Sequence, residues 1–209
     1  MHILSLHRKL IKKGAEADIF LIAWYGRKAI SKMRNPKQYR NKYLDENIRK
    51  KRTLHEANMI SAVKTVDIKT PSLLFLDPLK AEIIMEYIDG YNVKDIMSSQ
   101  LALDMGKYTS LLHNNNIVHG DLTTSNFIKS GNDLVIIDFG LSFFSDRIED
   151  RAVDFRLIKE ILSSAHIEIF DQAYQNFITG YSNNTNNNMK KILRVVSEIE
   201  KRGRYARIS

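Results

Sequence analysis

The feature that most restricts this chain is a polar segment at residues 117–126, with the sequence IVHGDLTTSN. Asp121 and Asn126 lie five positions apart in it, and a DFG tripeptide beginning at Asp138 follows after a predicted hairpin. A carboxylate can orient an attacking hydroxyl group or water, while an amide oxygen and a second carboxylate are hard ligands for Mg²⁺. The segment therefore predicts phosphoryl transfer, with Asp121 as the catalytic residue and Asn126 and Asp138 as metal ligands.

Two charged residues upstream complete the pattern. Lys32 lies near the end of the third predicted strand, and Glu56 lies in the helix that follows. In protein kinases a strand lysine contacts the nucleotide phosphates and is held by a helix glutamate. The order Lys32, Glu56, Asp121, Asn126 and Asp138, each on the expected element, is typical of that fold. We therefore predict a site for ATP and Mg²⁺, with Lys32 and Glu56 among the ATP-binding residues.

The segment between the predicted lobes provides two further ATP-binding candidates. Residues 83–90, IIMEYIDG, match the hinge of a kinase-like fold, which holds the adenine base through backbone groups. The carbonyl group of Glu86 and the amide group of Ile88 are the predicted contacts. The side chain of Glu86 is expected to be only a surface group at a strand end.

The predicted phosphate loop is poor in glycine. Residues 12–18 keep one glycine, Gly14, where a kinase normally has a glycine-rich loop over the phosphates. We predict that Gly14 binds ATP through this turn. Glu16 is unfavourable beside a triphosphate, so it should point away or pair with a base such as Lys32. One hypothesis is that Glu16 partly occludes the site until a partner binds.

The spacing of apolar residues predicts an α+β chain with two lobes. Short β-branched runs predict three strands before residue 34 and two more at residues 73–76 and 81–86, with one long helix between the two groups. Later residues are mostly helical, apart from a short hairpin at residues 127–137. Helices are predicted there at residues 93–98, 101–115, 153–163, 168–178 and 189–201.

These elements predict one minimal kinase-like domain over residues 1–209. It has a small β-rich N-lobe with one main helix and a reduced helical C-lobe. The predicted parts are an N-lobe (1–86), a hinge (87–90), a C-lobe (91–200) and a basic C-terminal tail (201–209).

Three buried polar residues are expected to have structural roles around the catalytic segment. We expect His113 to cap the helix before that segment and His119 to pack beneath Asp121. Asp154 opens a buried helix and is expected to hydrogen-bond the backbone of the catalytic segment rather than touch substrate.

Positive charge is concentrated in two stretches of the chain. The formal net charge is +8, with a basic run from Arg27 to Arg52 and a second cluster from Lys201 to Arg207. Such clusters attract polyanions by neutralising phosphates, although a solvated helix face has the same composition. The chain has no cysteine and no apolar run of the roughly 20 residues that span a bilayer. These properties are typical of a soluble cytoplasmic protein with no membrane partner.

The pattern departs from ordinary protein kinases on the substrate side. Gly120 stands where kinases regulated by phosphorylation place an arginine, and Thr123 where many place a lysine. The stretch from Asp138 to Asp154 is too short for a phosphorylated activation segment and contains no Ala-Pro-Glu. The nucleotide site is therefore predicted to be intact, whereas the platform that docks a peptide is largely missing.

The chain as a whole resembles one family, the small atypical kinase/ATPase of the archaeal-type KEOPS complex, which helps to form threonylcarbamoyladenosine in tRNA. The resemblance covers essentially the whole chain, including a Gly-Arg near the C-terminus. The matching segments are GAEA from Gly14, PKQYR from Pro36, HGDLTTSN from His119, IDFGLS from Ile137 and EDRAVD ending at Asp154.

The resemblance implies an activity and partners. The activity is Ser/Thr protein phosphorylation, including autophosphorylation, or ATP hydrolysis. The protein partners are the threonylcarbamoyl-transferring subunit of the complex and a small helical regulatory subunit on the N-lobe. The nucleic-acid partner is tRNA, contacted through the basic N-lobe helix region from Arg34 to Arg52 and the C-terminal tail, where Gly203-Arg204 could reach the active site.

Three alternatives stay open on the sequence. The first is a free-standing Ser/Thr protein kinase whose substrate lies outside tRNA modification. The second is a small-molecule kinase, which would need a larger C-lobe insertion than this chain provides. The third is a non-enzymatic scaffold, which the complete set of Lys32, Asp121 and Asp138 argues against.

Overall fold

The computed structural model describes residues 8–184 and 189–205. Contacts divide the chain into a first unit, Met1–Ala62 with Thr70–Asp89, and a second unit, Val63–Lys69 with Gly90–Ser209. Within the described residues, every helix is too short or too polar to cross a membrane.

The first unit is an antiparallel sheet with one long helix. Its elements are β1 (Lys9–Lys12), β2 (Ala17–Trp24), β3 (Arg27–Arg34), α1 (Lys42–Thr65), β4 (Leu73–Asp77) and β5 (Glu82–Glu86). The strand order is β1-β2-β3-β5-β4, so β3 is central. All five strands and the helix were predicted. The first strand was expected over residues 3–12, of which residues 3–7 lie outside the described residues.

The second unit is mostly helical, with short strand pairs between the helices. Its elements are β6 (Tyr91–Asn92), α2 (Ser99–Asn114), β7 (Ile117–Val118), β8 (Phe127–Ser130), β9 (Asp133–Ile136), β10 (Phe143–Phe144), α3 (Ile148–Ala165), α4 (Phe170–Ser182) and α5 (Met189–Tyr205). The predicted hairpin is confirmed, because β8 pairs with β9 in antiparallel register. The pairing of β7 with β10 brackets the catalytic segment and the DFG tripeptide.

The helix predictions in this unit differ from the structure in extent, most clearly at two places. Residues 93–98 contain only one 3₁₀ turn, Val93–Asp95, which starts where the side chain of Asn92 accepts a hydrogen bond from the Lys94 amide. The helix expected from residue 153 begins at Ile148. The prediction started too late because the first turn of this helix is acidic rather than apolar. Acidic residues stabilise a helix N-terminus through the helix dipole, but they leave no apolar period to detect.

Two glycines allow α2 and α4 to pack backbone against backbone. A Cβ atom on Gly180 would lie 1.9 Å from the carbonyl oxygen of Leu103, and one on Gly106 would lie 2.1 Å from a carbonyl oxygen of α4. Both distances are far inside van der Waals contact, so neither position accepts a side chain without movement of a helix. The next residue, Tyr181, packs edge to face on Phe155, with ring centroids 4.7 Å apart.

Candidate active site

The first unit contains a buried ion pair between its central strand and its helix. Nζ of Lys32 on β3 lies 2.7 Å from Oε1 of Glu56 on α1, and the side chains are 9% and 1% exposed. A buried charge is tolerated when it is paired and hydrogen-bonded. The predicted contact between these residues is therefore present, while their part in ATP binding stays a prediction.

Arg34 is a third member of this cluster, and sequence reasoning missed it. Its Nη2 atom lies 2.5 Å from Oε2 of Glu56, and its side chain is 8% exposed. Lys32 and Arg34 are two positions apart on one strand, so their side chains leave the same face. This two-residue spacing is the feature of the sequence from which a position of Arg34 beside Lys32 could have been predicted. The assignment of the whole basic run to an outside partner was wrong for Arg34, which is buried.

Gly14 lies in the turn between β1 and β2, as predicted. Its amide donates to Oδ1 of Asp18 at 3.2 Å, and its carbonyl accepts from Nδ2 of Asn35 at 3.4 Å. A Cβ atom at this position would lie 2.4 Å from the carbonyl oxygen of Ala17. The turn is therefore closed by contacts within the first unit, and the predicted contact of Gly14 with ATP stays a prediction.

Glu16 pairs with bases other than the one suggested by the sequence. Its Oε2 lies 2.5 Å from Nη1 of Arg52, and its Oε1 lies 3.8 Å from Nζ of Lys37. The side chain is 54% exposed, so this pair lies at the surface. The pairing with Lys32 was wrong, because Lys32 is engaged by Glu56.

We expect Glu16→Ala to change ATP turnover in the absence of any partner by less than about twofold, because an exposed ion pair contributes little free energy. Phosphate release from γ-labelled ATP measures this. Arg52→Gln removes the same ion pair from its other side and is the matched control. A several-fold rise in Glu16→Ala alone would support occlusion of the site by Glu16 instead.

The two hinge candidates lie at the end of the first unit. The Glu86 amide donates to the carbonyl of Ser72 at 2.9 Å, and Oε2 of Glu86 accepts from the Ser72 amide at 3.0 Å. The side chain of Glu86 is exposed at the strand end, as expected. Its hydrogen bond with the Ser72 amide was not predicted. Ile88 lies two residues beyond β5 and is partly exposed. The adenine contacts of both residues stay predictions.

In the second unit, the predicted catalytic and metal-binding residues lie side by side. Nδ2 of Asn126 donates to the carbonyl oxygen of Asp121 at 2.8 Å and to Oδ2 of Asp121 at 3.0 Å. The amide nitrogen of Asn126 is therefore occupied by Asp121, and its Oδ1 is the atom that suits a metal ion. The Ile137 amide donates to the Asn126 carbonyl at 2.9 Å, which brings the start of the DFG tripeptide next to this loop.

Asp138 follows β9 in a left-handed backbone conformation, with φ of 64°. Strained backbone of this kind in a non-glycine residue often marks a functional site. No group of three or more His, Asp and Glu residues able to hold a metal occurs in the described part of the chain. Asn126 and Asp138 offer an amide oxygen and a carboxylate, which are the hard ligands that Mg²⁺ takes besides water or phosphate, and their part in metal binding stays a prediction.

A buried aspartate holds the backbone that leads to Asp121. Oδ2 of Asp154 accepts from the His119 amide and Oδ1 accepts from the Gly120 amide, both at 2.8 Å. The predicted role of Asp154 is therefore confirmed. His119 adds a second link, because its Nδ1 accepts from the Asp121 amide at 3.2 Å, so its Nε2 carries the proton donated to the carbonyl of Ile137.

His113 is structural, as expected, but it is not a helix cap. The ring lies between Asp154 and Tyr181, with Nε2 3.1 Å from Oδ2 of Asp154 and Nδ1 3.0 Å from the Tyr181 hydroxyl. The C-cap residue of α2 is Asn115. Sequence reasoning missed Tyr181, because its contact with His113 spans 68 positions and no local motif announces it.

Gly120 has a conformational reason for replacing the arginine of regulated kinases. Its φ is +76°, and a Cβ atom would lie 2.4 Å from the carbonyl oxygen of Leu141. An L-residue would be strained there and would also clash. The backbone before Asp121 thus takes a path that excludes the side chain other kinases use at this position.

Another histidine, His166, contacts the loop between Asp121 and Asn126, and sequence reasoning missed it as well. Nε2 of His166, at the end of α3, lies 3.2 Å from Oγ1 of Thr124. Burial lowers the pKa of His166 below its ordinary value, which favours the neutral ring near pH 7. This contact links the end of α3 to the loop between Asp121 and Asn126.

The basic run divides into engaged and exposed residues. Arg40 and Arg49 both contact the buried carboxylate of Asp45, and the hydrogen bond from Arg49 lowers the pKa of Asp45. The exposed lysines on α1 include Lys42, Lys50 and Lys51. The predicted tail begins inside α5, which runs to Tyr205. Residues 206–209 lie outside the described residues.

Comparisons with known proteins identify the family of this chain. A family model described as RIO domain matches residues 25–158. A curated protein of Pyrococcus abyssi, KEOPS complex subunit Bud32, is 36% identical over 94% of this chain and 96% of its own. A bifunctional tRNA threonylcarbamoyladenosine biosynthesis protein of Methanobrevibacter smithii is 40% identical over 97% of this chain. The chain therefore belongs to the RIO-domain family and, within it, to the family of Bud32.

Two facts qualify these similarities. The chain spans only 38% of the length of the Methanobrevibacter protein, so it matches one part of that longer protein. Among solved structures, the Rio2 kinase of Chaetomium thermophilum in a complex with ADP, Mg²⁺ and phosphoaspartate has a TM-score of 0.67 at 14% identity, covering 97% of this chain and 72% of that one. This likeness confirms the predicted kinase-like fold.

Proposed function

We propose that this chain is an ATP-dependent phosphoryl-transfer enzyme that works as a subunit of the KEOPS complex in forming threonylcarbamoyladenosine in tRNA. The reaction is Ser/Thr protein phosphorylation, including autophosphorylation, ATP hydrolysis, or both. The observation that carries the proposal is the contact of Asn126 with Asp121 in a loop whose backbone is fixed by Asp154. Membership of the Bud32 family supports the tRNA-modifying assembly as its setting.

The residues have separate roles in the proposed reaction. Asp121 accepts the proton of the attacking hydroxyl or orients a water molecule, and Asn126 keeps its carboxylate in place. Oδ1 of Asn126 and the carboxylate of Asp138 hold Mg²⁺, which neutralises charge on the phosphates when bound. Lys32, oriented by Glu56, contacts the phosphates of ATP. Gly14 and the backbone of Glu86 and Ile88 complete the proposed ATP contacts.

The proposed partners follow from the relatives and the charge distribution. One relative is named as a KEOPS complex subunit, and another as a bifunctional protein of the same tRNA modification. We propose binding to a threonylcarbamoyl-transferring subunit, a small helical regulatory subunit and tRNA. Exposed lysines of α1 and the basic C-terminal tail are the proposed tRNA contacts. The absence of cysteine is consistent with action in the cytoplasm.

The proposal is tested with γ-labelled ATP and the full chain. Free phosphate and label on protein are measured with and without tRNA and the two proposed protein partners. We expect turnover that depends on Mg²⁺ and increases when the partners and tRNA are present. Strong labelling of unrelated proteins, with no effect of tRNA, would favour the free-standing protein kinase. Absence of turnover in every mixture would overturn the enzymatic assignment.

We expect tRNA binding to weaken steeply with added salt, because each neutralised phosphate releases counterions. Replacing Lys42, Lys50 and Lys51 together with Gln should reduce the slope of log K against log salt by about 3. The same three positions changed to Arg keep the charge and should keep the slope. An unchanged slope in the Gln variant would place the tRNA contact elsewhere.

A further inference from the structure

One carboxylate in the first unit serves two cations from the same strand. Glu56 is fully buried, and each of its oxygens has its own partner: Oε1 faces Nζ of Lys32, and Oε2 faces Nη2 of Arg34. The distances are 2.7 Å and 2.5 Å. Because each oxygen has a donor, the carboxylate plane is fixed as well as its position.

The second contact changes what the ion pair can do. In protein kinases the pair of strand lysine and helix glutamate must be in place for activity, and movement of the helix controls it. Here, movement of α1 away from β3 would separate Glu56 from Arg34 as well as from Lys32. Removing a partner from a buried charge is costly, so the assembled state is favoured by two contacts instead of one.

The backbone of Arg34 is held in place beside Glu56 by a hydrogen bond. It is the last residue of β3, and its amide donates to the carbonyl of Ala81 at 3.0 Å. Its side chain is 8% exposed, so bulk solvent contributes little to the environment of the guanidinium group. A lysine in its place could supply the charge but not the planar set of donors.

We propose that Arg34 is a positioning residue for the ATP site: it holds Glu56 so that Lys32 is already oriented before ATP or a partner protein binds. The inference rests on the proposed function, because it takes Lys32 as the residue that contacts the phosphates. It assigns Arg34 to the nucleotide site and removes it from the surface available to tRNA.

Arg34→Gln tests the proposal in the full chain. We expect KM for ATP and the dissociation constant for Mg²⁺-ADP to rise roughly tenfold, with kcat reduced less than about threefold, because ground-state positioning of Lys32 is what is lost. Arg34→Lys keeps the charge without the planar donors and should recover only part of the affinity. Titration calorimetry with Mg²⁺-ADP and steady-state phosphate release measure these effects.

The matched control is Arg49→Gln, which removes an arginine from another buried carboxylate of the same helix, Asp45. It should lower the unfolding temperature and leave the affinity for Mg²⁺-ADP unchanged. In a Glu56→Gln background, Arg34→Gln should add less than about a twofold effect, because both changes remove one interaction. Two results would overturn the proposal. One is that the losses of Mg²⁺-ADP affinity in Arg34→Gln and Glu56→Gln multiply in the double variant, and the other is that folded Arg34→Gln keeps the wild-type affinity.

The binding measurement keeps this test separate from that of the proposed function. If wild-type protein binds Mg²⁺-ADP but shows no turnover in any mixture, the enzymatic proposal fails while the role of Arg34 is still measured. If wild-type protein does not bind Mg²⁺-ADP at all, both proposals fail together. Circular dichroism of each variant distinguishes loss of affinity from loss of folding.

Discussion

Asp121→Ala should lower both phosphate release and label transfer from γ-labelled ATP by about 10²–10⁴-fold, the range that a positioned general base contributes. Asp121 is the carboxylate that Asn126 contacts through Nδ2. Its removal takes away the group proposed to orient the attacking oxygen. Initial rates at saturating ATP measure the loss, and binding of Mg²⁺-ADP should be nearly unchanged.

Two further variants make this result specific. Asp121→Asn keeps the hydrogen-bonding shape but cannot accept a proton, so its rate should be close to that of Asp121→Ala. Asp171→Ala removes an exposed carboxylate from the first turn of α4 and should leave turnover unchanged. Normal turnover in Asp121→Ala would place the catalysis on another residue.

Asp154→Ala should destabilise the second unit by about 3–5 kcal/mol, because it leaves buried donors without an acceptor. Those donors are the His119 and Gly120 amides and the His113 ring. Urea denaturation followed by circular dichroism measures the free energy of unfolding. Turnover should also fall, since the backbone before Asp121 loses its support.

Asp154→Asn is the conservative comparison for this prediction. It keeps one acceptor oxygen and replaces the other with a donor, so it should lose part of the stability. A matched control is Asp104→Ala, which removes only a surface ion pair with Lys107 and should cost less than about 1 kcal/mol. A change below about 1 kcal/mol in Asp154→Ala would show that the buried contacts add little.

Residues in the candidate site could be predicted where a local motif carries them. Asp121 and Asn126 are five positions apart, and their contact follows from one short loop. The pairing of Lys32 with Glu56 could be predicted because strand and helix positions are recognisable from apolar periods. The five-stranded sheet followed from the same alternation.

Other parts of the site depend on contacts that a single sequence does not announce. The spacing of Arg34 and Lys32 places them on one face of β3, but the contact of Arg34 with Glu56 depends on how α1 packs against that strand. Tyr181 on α4 contacts His113 on α2, 68 positions earlier in the chain. The short turn at Val93–Asp95 was mistaken for a helix because a few apolar residues fit either structure.

The contact between α2 and α4 also limits which sequences can maintain the catalytic segment that contains Asp121. Gly180 has no room for a methyl group, and Tyr181 follows it directly. A substitution at Gly180 that pushed α4 outward would move the Tyr181 hydroxyl away from His113. His113 would then hold Asp154 less firmly, and the carboxylate of Asp154 is what fixes the backbone before Asp121. Variants that impair ATP chemistry are therefore expected at Gly180, a glycine in α4 that lies far along the chain from the catalytic segment.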